Sequence, residues 1–331
     1  MMFPKLGLSV CIVNWNTCDL LRACLRSIYA YPPQVSYEVL VVDNASRDGS
    51  AEMVRREFPQ VRLFANAENL GYAEGNNQCL RAARGEYLLL LNPDTEIVPH
   101  LCSPSSQISD DQPPVASGHP SAAFNHPFEV LVHFLEEHPA AAAVGGRLVG
   151  PKGEVQATCR SFPTPGALLW EFVGLSRLSP HSRLFGAYRM TYFAHDRVRE
   201  VDQPMGSCLL LRRAALREVG LFDPQFRIFF NDVDLCYRLK QAGWRLYFTP
   251  KATLLHHGAA STKQVRLALV RESGRALLQF YRKHYRSRYH PAVYALATAA
   301  IRVAYTLRYA LLWTRAGRER TFPAGPAPAE G

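Results

Sequence analysis

The sequence predicts an α/β fold, in which a mainly parallel sheet is flanked by helices and followed by a C-terminal helical extension. Over the first hundred residues, strand-like apolar runs alternate with stretches of helical period. Short connections rich in Asn, Asp, Ser and Gly join them, and the composition turns basic after residue 262. Because parallel neighbours need crossover connections, this alternation places helices over the faces of the sheet.

The predicted elements follow one another in the order strand, helix, strand. The first seven are a strand at 8–13, a helix at 19–29, a strand at 38–42, a helix at 49–58, a strand at 61–65, a helix at 72–84 and a strand at 86–91. Thr17 or Asp19 can cap the first helix, and Asp48 or Ser50 the second. Later elements are a helix at 128–137, strands at 143–149 and 207–211, helices at 213–219 and 233–242, a strand at 244–248, and a strand ending in LLHHG.

Two internal segments and the chain end lack such patterns. Residues 102–127 are rich in Ser, Pro, Asp, Gln, His and Ala, which indicates a low-complexity surface insertion, and residues 161–200 read as an irregular aromatic and basic segment. We therefore expect an α/β domain over 1–262 and a basic, partly amphipathic helical extension over 263–320. A disordered tail is expected over 321–331.

The charge distribution distinguishes the extension from the body. Residues 263–331 hold 13 Lys and Arg against 3 Asp and Glu, whereas the rest of the chain holds 25 of each. The stretch 265–290 has the composition of a basic amphipathic helix, and Arg302 and Arg308 interrupt the apolar stretch 292–313. These features favour helices lying on an anionic membrane surface over a membrane-crossing helix, with a packed helical cap as the alternative. No nucleic-acid partner is expected, because the body has no comparable basic and aromatic stripe.

The cysteines and the N-terminus bear on location. Eight cysteines form no C-x-x-C pair, and several fall in apolar stretches where a reduced thiol packs well. The N-terminal apolar run stops at Asn14 without a small-residue cleavage site, which is typical of a first strand and not of a signal peptide. We expect a cytoplasmic protein, peripheral at the inner face of the cell membrane.

Two predicted strands end in turns that carry an acid: Asp43 in VVDNAS and Asp94 in NPDTEI. Ligands of open parallel sheets bind outside the carboxyl ends of the strands. A divalent cation on a nucleotide diphosphate needs only one or two protein carboxylates, which suits Asp94, while Asp43 suits a base or ribose. The alternative for both is a turn or capping residue. Since there is no P-loop, G-x-G-x-x-G or G-x-S-x-G, phosphate must be handled by side chains or a metal.

Three further segments contain candidate functional residues. Small residues around Asn69, Gly71 and Asn76 open a helix and allow a ligand close to the backbone. In FFNDVDLCYRL, one of the two acids 232 and 234 can act as a general base while the other caps the helix or pairs with a basic residue one turn on. The alternative is that both acids have only a structural role, as negatively charged residues at the start of a helix. The paired histidines of LLHHG point to opposite faces of a strand, so only one of them is a candidate metal ligand. The alternative is that this histidine has a structural, hydrogen-bonding role.

As a set, these segments resemble the glycosyltransferase family 2 enzymes of the GT-A fold, in the rhamnosyltransferase-like branch. The resemblance covers most of residues 7–262 apart from the two irregular segments. It is carried by LSVCIVNWN, YEVLVVDNASRDGS, ENLGYAEGNN, GEYLLLLNPDTEI, GSCLLLRRAALREVGLFDPQF, FFNDVDLCYRLKQAGW and LLHHGAAST.

The resemblance implies an inverting transfer of a sugar, rhamnose among the candidates, in polysaccharide or cell-envelope biosynthesis. The donor would be a dTDP- or UDP-linked sugar and the acceptor a glycan or polyprenyl-linked glycan. Asp232 would be the catalytic base, and Asp94, at the place of the family's D-x-D motif, would hold Mg²⁺ or Mn²⁺ with His256. The remaining implied site residues are Asn14, Asp43, Asn44, Asn69, Gly71, Asn76 and Asn92 for the nucleotide sugar, and Gly206, Ser207 and Asn231 on the acceptor side.

The sequence departs from the family pattern at three points. Asn231 stands where the family usually has Glu before the base, Glu74 replaces a small residue, and the 102–127 insertion is unusual. Two other readings remain. One is a different nucleotidyl or sugar-phosphate transferase, and the other is a non-catalytic membrane- or polyanion-binding module on a nucleotide-binding sheet.

Overall fold

The computed structural model describes residues 6–102, 125–258 and 266–321. The chain divides into two compact units, residues 1–261 and 262–331. The predictions for most of the 102–127 insertion and for nearly all of the tail fall outside the described residues. At the base of the insertion, the Asn125 N–H donates to the Cys102 carbonyl at 3.2 Å, so the main chain leaves and rejoins the first unit at one place.

As far as β4, the first unit alternates strands and helices in the predicted order; the short elements β5, β7, β8, β9, α5 and α6 were not predicted. Its elements are β1 (Leu8–Asn14), α1 (Cys18–Ala30), β2 (Tyr37–Asp43), α2 (Ser50–Glu57), β3 (Arg62–Ala65), α3 (Gly71–Ala82), β4 (Tyr87–Leu91), β5 (Thr95–Glu96), a 3-10 turn (Pro99–Leu101), α4 (Pro127–Glu137), β6 (Ala141–Val149), β7 (Cys159–Arg160), α5 (Pro165–Phe172), α6 (Leu175–Leu178), β8 (Arg199–Glu200), β9 (Gln203–Pro204), β10 (Cys208–Arg212), α7 (Arg213–Val219), α8 (Asn231–Gln241) and β11 (Arg245–His256).

A nine-stranded mixed sheet forms the centre of the unit. Its order is β3-β2-β1-β4-β10-β6-β11-β5, with β8 beside β11, and β7 pairs separately with β9. The first four strands are parallel, as predicted, whereas β10 runs antiparallel to both β4 and β6. The strand predicted at 244–248 and the strand predicted in LLHHG are one long β11, with a register shift between Thr249 and Thr253.

Helices cover both faces because the strands are apolar on both sides. Val10 and Ile12 of β1 pack in one buried cluster with residues of α1, α2 and α4. Cys11, on the opposite side of the same strand, packs in a second cluster with residues of α3, α7 and α8. All eight cysteines are free and all but Cys18 are buried. The sheet is therefore held rigidly from both faces, which fixes where its strands end.

The helix caps differ from the prediction at Thr17 and Ser50, whereas Asp48 accepts a backbone N–H at the start of α2, as one of the two predicted alternatives. Neither Thr17 nor Ser50 caps a helix with its side chain, and the Thr17 hydroxyl donates to Asn14 Oδ1 at 2.6 Å instead. The Asp48 carboxylate accepts the N–H groups of Cys18 at 2.7 Å and Ser50 at 3.1 Å, the first residues of α1 and α2. One carboxylate thus serves two helix starts, a long-range arrangement that local sequence rules do not anticipate.

The irregular segment at 161–200 contains the short helices α5 and α6. Thr164 caps α5, its hydroxyl accepting the Ala167 N–H at 3.3 Å, and Pro165 follows at the first helical position. The Phe162 ring packs edge-on against Tyr237 of α8, with ring centroids 5.0 Å apart. The segment therefore lies against the helix that begins next to Asp232.

The second unit is a pair of packed helices. It consists of α9 (Arg266–Phe280), a π-helical turn (Tyr281–Tyr285) and α10 (Pro291–Thr321). The Arg271 guanidinium stacks 4.0 Å from the centre of the Tyr309 ring, and Ser273 Oγ lies 3.2 Å from the Tyr305 hydroxyl. By length and composition alone, Pro291–Thr314 of α10 is long and apolar enough to cross a membrane. The arginines at 302 and 308 thus do not exclude a crossing helix by that measure, contrary to the sequence expectation.

Candidate functional site

Asn14 and Asp43 lie side by side at the carboxyl ends of β1 and β2. Asn14 is fully buried, and its Nδ2 donates to Asp43 Oδ1 at 2.8 Å and to Ser46 Oγ at 3.2 Å. Asp43 Oδ2 accepts the Ser46 N–H at 3.0 Å. Because Asn14 Oδ1 accepts the hydrogen bond from the Thr17 hydroxyl, both ends of the Asn14 amide are bonded to other protein groups. The amide thereby orients the Asp43 carboxylate.

The end of β2 is joined to the start of α3 through Asn44. Its Nδ2 donates to the Gly71 carbonyl at 3.1 Å, and the Gly71 N–H donates to Asn69 Oδ1 at 2.8 Å. Gly71 has φ +85°, and a Cβ there would collide with Arg227 Cγ and lie 2.8 Å from the Arg227 carbonyl oxygen. Only glycine fits both the conformation and this close approach.

The first turns of α3 hold their asparagines internally. Asn76 is buried, and its Nδ2 donates to the Tyr72 carbonyl at 2.9 Å. Asn77, in the same helix-opening segment, exchanges two hydrogen bonds with the Phe222 backbone, at 2.8 and 2.9 Å. Glu74, the unusual residue here, turns to Arg81 at 2.7 Å. The carboxylate that Glu74 brings to this position is thus paired with an arginine of the same helix.

Asp232 lies at the start of α8 and is held by three donors. Its Oδ2 accepts Gln203 Nε2 at 2.8 Å and the Gly206 N–H at 3.4 Å, and its Oδ1 accepts the Val233 N–H at 2.9 Å. Burial raises the pKa of Asp232 above its ordinary value, although these donors act in the opposite direction. Asp234, two residues on, is fully buried and bonded to Arg238 Nε at 2.8 Å, so it stabilises the helix. The structure thus separates the two acids that the sequence left equivalent.

Asn231 takes part in the backbone turn that delivers Asp232. Phe230 has φ +64°, in the left-handed region. The Asn231 Nδ2 donates to the Ile228 carbonyl at 2.7 Å, and its Oδ1 accepts the Asp232 N–H at 2.7 Å. An asparagine can donate and accept at once, which the glutamate usual in the family cannot do when ionised.

The pairing of β5 with the end of β11 brings Asp94 and His256 together, with His256 opposite Thr95. Asp94 Oδ1 lies 3.3 Å from His256 Nε2, and both side chains are buried. Gln156 Nε2 donates to the His256 carbonyl at 2.9 Å, which directs Gln156 Oε1 to His256 Nδ1 at 2.6 Å. Because an amide oxygen only accepts, the Nδ1 atom must carry a proton.

His256 Nε2 is buried and has no hydrogen-bond partner in acceptable geometry. In the neutral imidazole its lone pair faces the Asp94 carboxylate, and only a proton on Nε2 or a cation beside the two atoms satisfies that arrangement. Burial acts to raise the pKa of Asp94, but a hydrogen bond and the positive charge of a protonated His256 ring would bring it below its ordinary value. The donor set, one carboxylate oxygen and one oriented imidazole nitrogen, fits a divalent cation.

Asp94 and His256 supply two potential ligands, and the described residues add no third one to them. No group of three or more His, Cys, Asp or Glu side chains able to hold an ion occurs there. His257 faces elsewhere, its Nε2 bonded to Glu96 Oε1 at 2.6 Å. A cation here would therefore depend on phosphate oxygens and water for its remaining ligands, as is usual for a metal that arrives with a diphosphate.

The turn at Gly206 and Ser207 connects these parts. The Asn92 N–H and Nδ2 donate to the Ser207 carbonyl and hydroxyl, both at 3.0 Å. The Tyr72 hydroxyl donates to the Gly206 carbonyl at 3.1 Å. Burial raises the pKa of Tyr72, and the negative charges of both Asp232 and Asp94 add to the effect. The two acids thus lie around one tyrosine and one turn.

Sequence reasoning missed two residues of this network, Gln203 and Gln156, and gave Tyr72 no role of its own within the segment that opens α3. Tyr72 directly follows Gly71 in ENLGYAEGNN, so its position at the helix start was a usable signal. Gln203 lies in the two-residue strand β9, and Gln156 lies in a loop after β6. No local pattern marks either glutamine, because their partners Asp232 and His256 are distant in the chain.

The sheet order and its two helix layers are those of a GT-A fold. A solved mannosyltransferase from Pyrobaculum calidifontis has a similar structure, with a TM-score of 0.52 and 18% identity, covering 95% of this chain and 80% of that one. Two family models match the sequence: "Glycosyl transferase family 2" over residues 9–118 and "Glycosyltransferase like family 2" over residues 121–286, half of the chain. The chain belongs to glycosyltransferase family 2, as its sequence motifs indicate, and it is a rhamnosyltransferase-like member.

Relatives with assigned names point to glycan synthesis. The N-acetylglucosaminyl-diphospho-decaprenol L-rhamnosyltransferase of Mycobacterium tuberculosis is 29% identical over 242 residues, which cover 68% of this chain and 67% of that protein. The O-antigen biosynthesis protein RfbC of Myxococcus xanthus is 28% identical over 250 residues, covering 74% of this chain and 17% of its own length.

Proposed function

We propose that this enzyme transfers a sugar from a dTDP- or UDP-linked donor to a hydroxyl of a polyprenyl-linked glycan, with rhamnose the first candidate sugar. The name of the mycobacterial relative, which matches over 67% of its length, supports both the sugar and the lipid-linked acceptor. The observation that carries the proposal is the arrangement of Asp232 and the Asp94–His256 pair around the turn at Gly206 and Ser207.

The nucleotide side of the site would be formed at the ends of β1 and β2. Asp43 keeps acceptor capacity on its carboxylate for a base N–H or a ribose hydroxyl. In this proposal Asn14, Asn44 and Asn76 act mainly by holding the loops, because their amides bond within the protein. The absence of a side chain at Gly71 lets α3 begin close to Arg227, while Asn69 and Asn92 fix the neighbouring turns.

Asp94 and His256 would hold Mg²⁺ or Mn²⁺ with the donor diphosphate. The mannosyltransferase from Pyrobaculum was solved with GDP-mannose and Mn²⁺, which supports a divalent ion in this fold. When bound, the ion would neutralise the charge that develops on the departing diphosphate. Gln156 keeps the His256 Nε2 lone pair directed at the Asp94 side of the site.

Asp232 would accept the proton of the acceptor hydroxyl as that oxygen attacks the anomeric carbon. The new bond joins the acceptor oxygen to this carbon, the bond from the carbon to the diphosphate oxygen breaks, and the configuration inverts. A pKa raised by burial makes the carboxylate a better proton acceptor than an ordinary aspartate. Gly206, Ser207 and Asn231 would border the acceptor, with Gln203 and the Gly206 N–H holding the carboxylate in place.

The second unit would bring the enzyme to the cytoplasmic membrane face. Large apolar side chains of α10 are exposed, among them Leu296 at 74% and Leu311 at 63%. Arg302 and Arg308 are exposed on the same helix. This mixture favours α10 lying in the interface of an anionic bilayer, with its arginines at the headgroups.

The test is a ligand panel followed by a transfer assay with the full-length protein. We expect a dTDP- or UDP-sugar with Mn²⁺ or Mg²⁺ to stabilise the protein by about 2.7 kcal/mol at 100 times its Kd, and chelation to abolish the effect. The same donor should then support transfer to a polyprenyl-diphosphate N-acetylglucosamine acceptor. Stabilisation by no nucleotide sugar, or donor binding without transfer to any lipid-linked glycan, contradicts the proposal.

A further inference from the structure

The first unit exposes an unusual apolar surface in the segment between β7 and β8. Nine large hydrophobic side chains of this unit are exposed among the described residues, and five of them lie between positions 169 and 184. These five are Leu169 (50%), Phe172 (37%), Val173 (56%), Leu178 (80%) and Leu184 (60%). We call them the α5–α6 surface.

The exposure follows from how α5 is packed. Ala167 and Leu168 face inward and are buried, so the face that carries Leu169, Phe172 and Val173 is left outside. Trp170 packs edge-on against Phe185, with ring centroids 5.2 Å apart, which joins α5 to the loop that carries Leu184. The segment is thus an ordered, packed structure that presents apolar groups, and such a patch marks an interaction site.

The charge of the segment restricts the partner. Between residues 165 and 192 the only acid is Glu171, and its carboxylate is engaged by Arg189 at 2.5 Å and Ser176 at 2.9 Å. Arg177 and Arg183 are exposed among the apolar side chains. Exposed leucines interspersed with arginines, without a free acid, complement an anionic lipid interface, where the apolar groups enter the acyl boundary and the guanidinium groups meet headgroups.

The segment is joined to the residues around the proposed base. Strand β7 pairs with β9, placing Arg160 opposite Gln203, which donates to Asp232. The Phe162 N–H donates to Asp202 at 3.2 Å, and the Phe162 ring packs on Tyr237 of α8. A bilayer that contacts the α5–α6 surface would therefore lie on the side of the first unit where Asp232 is held.

We infer that the α5–α6 surface is a membrane-contact site of the first unit, separate from α10, which seats the catalytic unit on an anionic bilayer with the Asp232 side of the site toward the headgroups. The link to the acceptor rests on the proposed function, whereas the contact with lipid does not.

The test uses an environment-sensitive fluorophore on single engineered cysteines in the full-length protein. Leu178→Cys and Leu184→Cys report on the surface, and Arg55→Cys on α2, which packs with the opposite face of the sheet, is the matched control. Cys18, the one native cysteine that is not buried, is replaced by serine in all three. The probe is a vesicle of equal phosphatidylglycerol and phosphatidylcholine, with and without brominated acyl chains.

We expect a blue shift and quenching by brominated lipid at positions 178 and 184 but not at 55, both weakened by salt. The double variant Leu178→Glu/Leu184→Glu should lower vesicle partitioning by about tenfold or more without lowering Tm, because both side chains are exposed.

Unchanged fluorescence at 178 and 184 while flotation shows bound protein overturns the inference, as does a complete lack of vesicle binding. A spectral change that depends on protein concentration without vesicles also overturns it, in favour of a contact between copies. None of these measurements depends on sugar transfer, so a failure of the membrane contact can be told apart from a failure of the proposed function.

Discussion

His256 Nε2 lies 3.3 Å from Asp94 Oδ1, buried and without a hydrogen-bond partner of its own. The contact exists because β5 pairs with the last residues of β11 at one edge of the sheet. Gln156 determines which imidazole nitrogen faces the acid. The pair is therefore held in place before any ligand binds, and its proposed role in metal binding leads to the first two predictions.

Asp94→Asn should remove the charged member of this pair. We expect the Mn²⁺-dependent part of nucleotide-sugar binding to weaken at least tenfold and transfer to fall by about 10²- to 10³-fold, since charge stabilisation of the leaving group is lost. Calorimetric titration with and without Mn²⁺ measures the first effect. His257→Gln is the control, because its imidazole contacts Glu96; equal losses in both variants would argue against the assignment.

Gln156→Leu tests the orientation of His256. Loss of the hydrogen bond to Nδ1 should reduce metal affinity by about 10- to 100-fold, as is typical for a residue that orients a metal-bound histidine. Electron paramagnetic resonance of Mn²⁺ with the nucleoside diphosphate present provides the measurement. Unaltered Mn²⁺ affinity in a folded Gln156→Leu protein would show that His256 is not a ligand.

Asp232→Asn should separate binding from chemistry. The amide keeps the size of the side chain but cannot take the acceptor proton, so kcat should fall by about 10²- to 10⁴-fold with donor affinity retained. Asp234→Asn is the matched control. It removes one partner of the buried pair with Arg238 and should lower the free energy of unfolding by roughly 3–5 kcal/mol, which chemical denaturation measures. If Asp232→Asn retains turnover, Asp232 is not the base.

Gln203→Met should shift the pH profile of the enzyme. Asp232 must be ionised to act, and burial has raised its pKa, so activity declines as the pH falls through a value above that of an ordinary aspartate. Gln203 donates to the ionised carboxylate, and its loss should raise that pKa further, because a hydrogen bond to the charged form favours ionisation. The acid limb of kcat/KM should move upward accordingly. Gln203→Asn, which keeps a donor, should move it less; an unmoved limb in Gln203→Met would remove Gln203 from this role.

Gly71→Ala should destabilise the protein more than a glycine change that imposes backbone strain alone. At Gly153, φ is +82° and nothing lies within 4 Å of an added Cβ, so alanine should cost about 1 kcal/mol. At Gly71 the same strain is joined by the collision with Arg227, adding about 1–3 kcal/mol. Urea denaturation of the two variants measures the difference. Equal losses in the free energy of unfolding of the two variants would mean that the backbone near Arg227 can move to make room for the added Cβ at no energetic cost.

Much of the fold was predictable because its signals are local. Alternating periods located β1 to β4 and the helices between them to within one or two residues, and the family followed from the motifs at their ends. The antiparallel β10 was not predictable, since direction within a sheet depends on the pairing partner and not on the strand's own sequence.

The candidate site shows the same division. Its acids could be predicted because a strand that ends in an acidic turn is a local pattern. Gln203 and Gln156 could not, because each depends on contacts between distant segments. The family resemblance implied Asp232 as the base, but the local pattern alone did not distinguish it from Asp234.

The sequence by itself thus determined the class of sheet, the family, and which carboxylates stand at strand and helix ends. The family resemblance pointed to Asp232 and His256, but only the tertiary structure showed the contacts of Asp232 with Gly206 and of His256 with Asp94, and that apolar side chains of α5 and α6 remain outside. The physical reason is that side-chain direction at a site is set by strand register and helix packing, which arise from long-range burial.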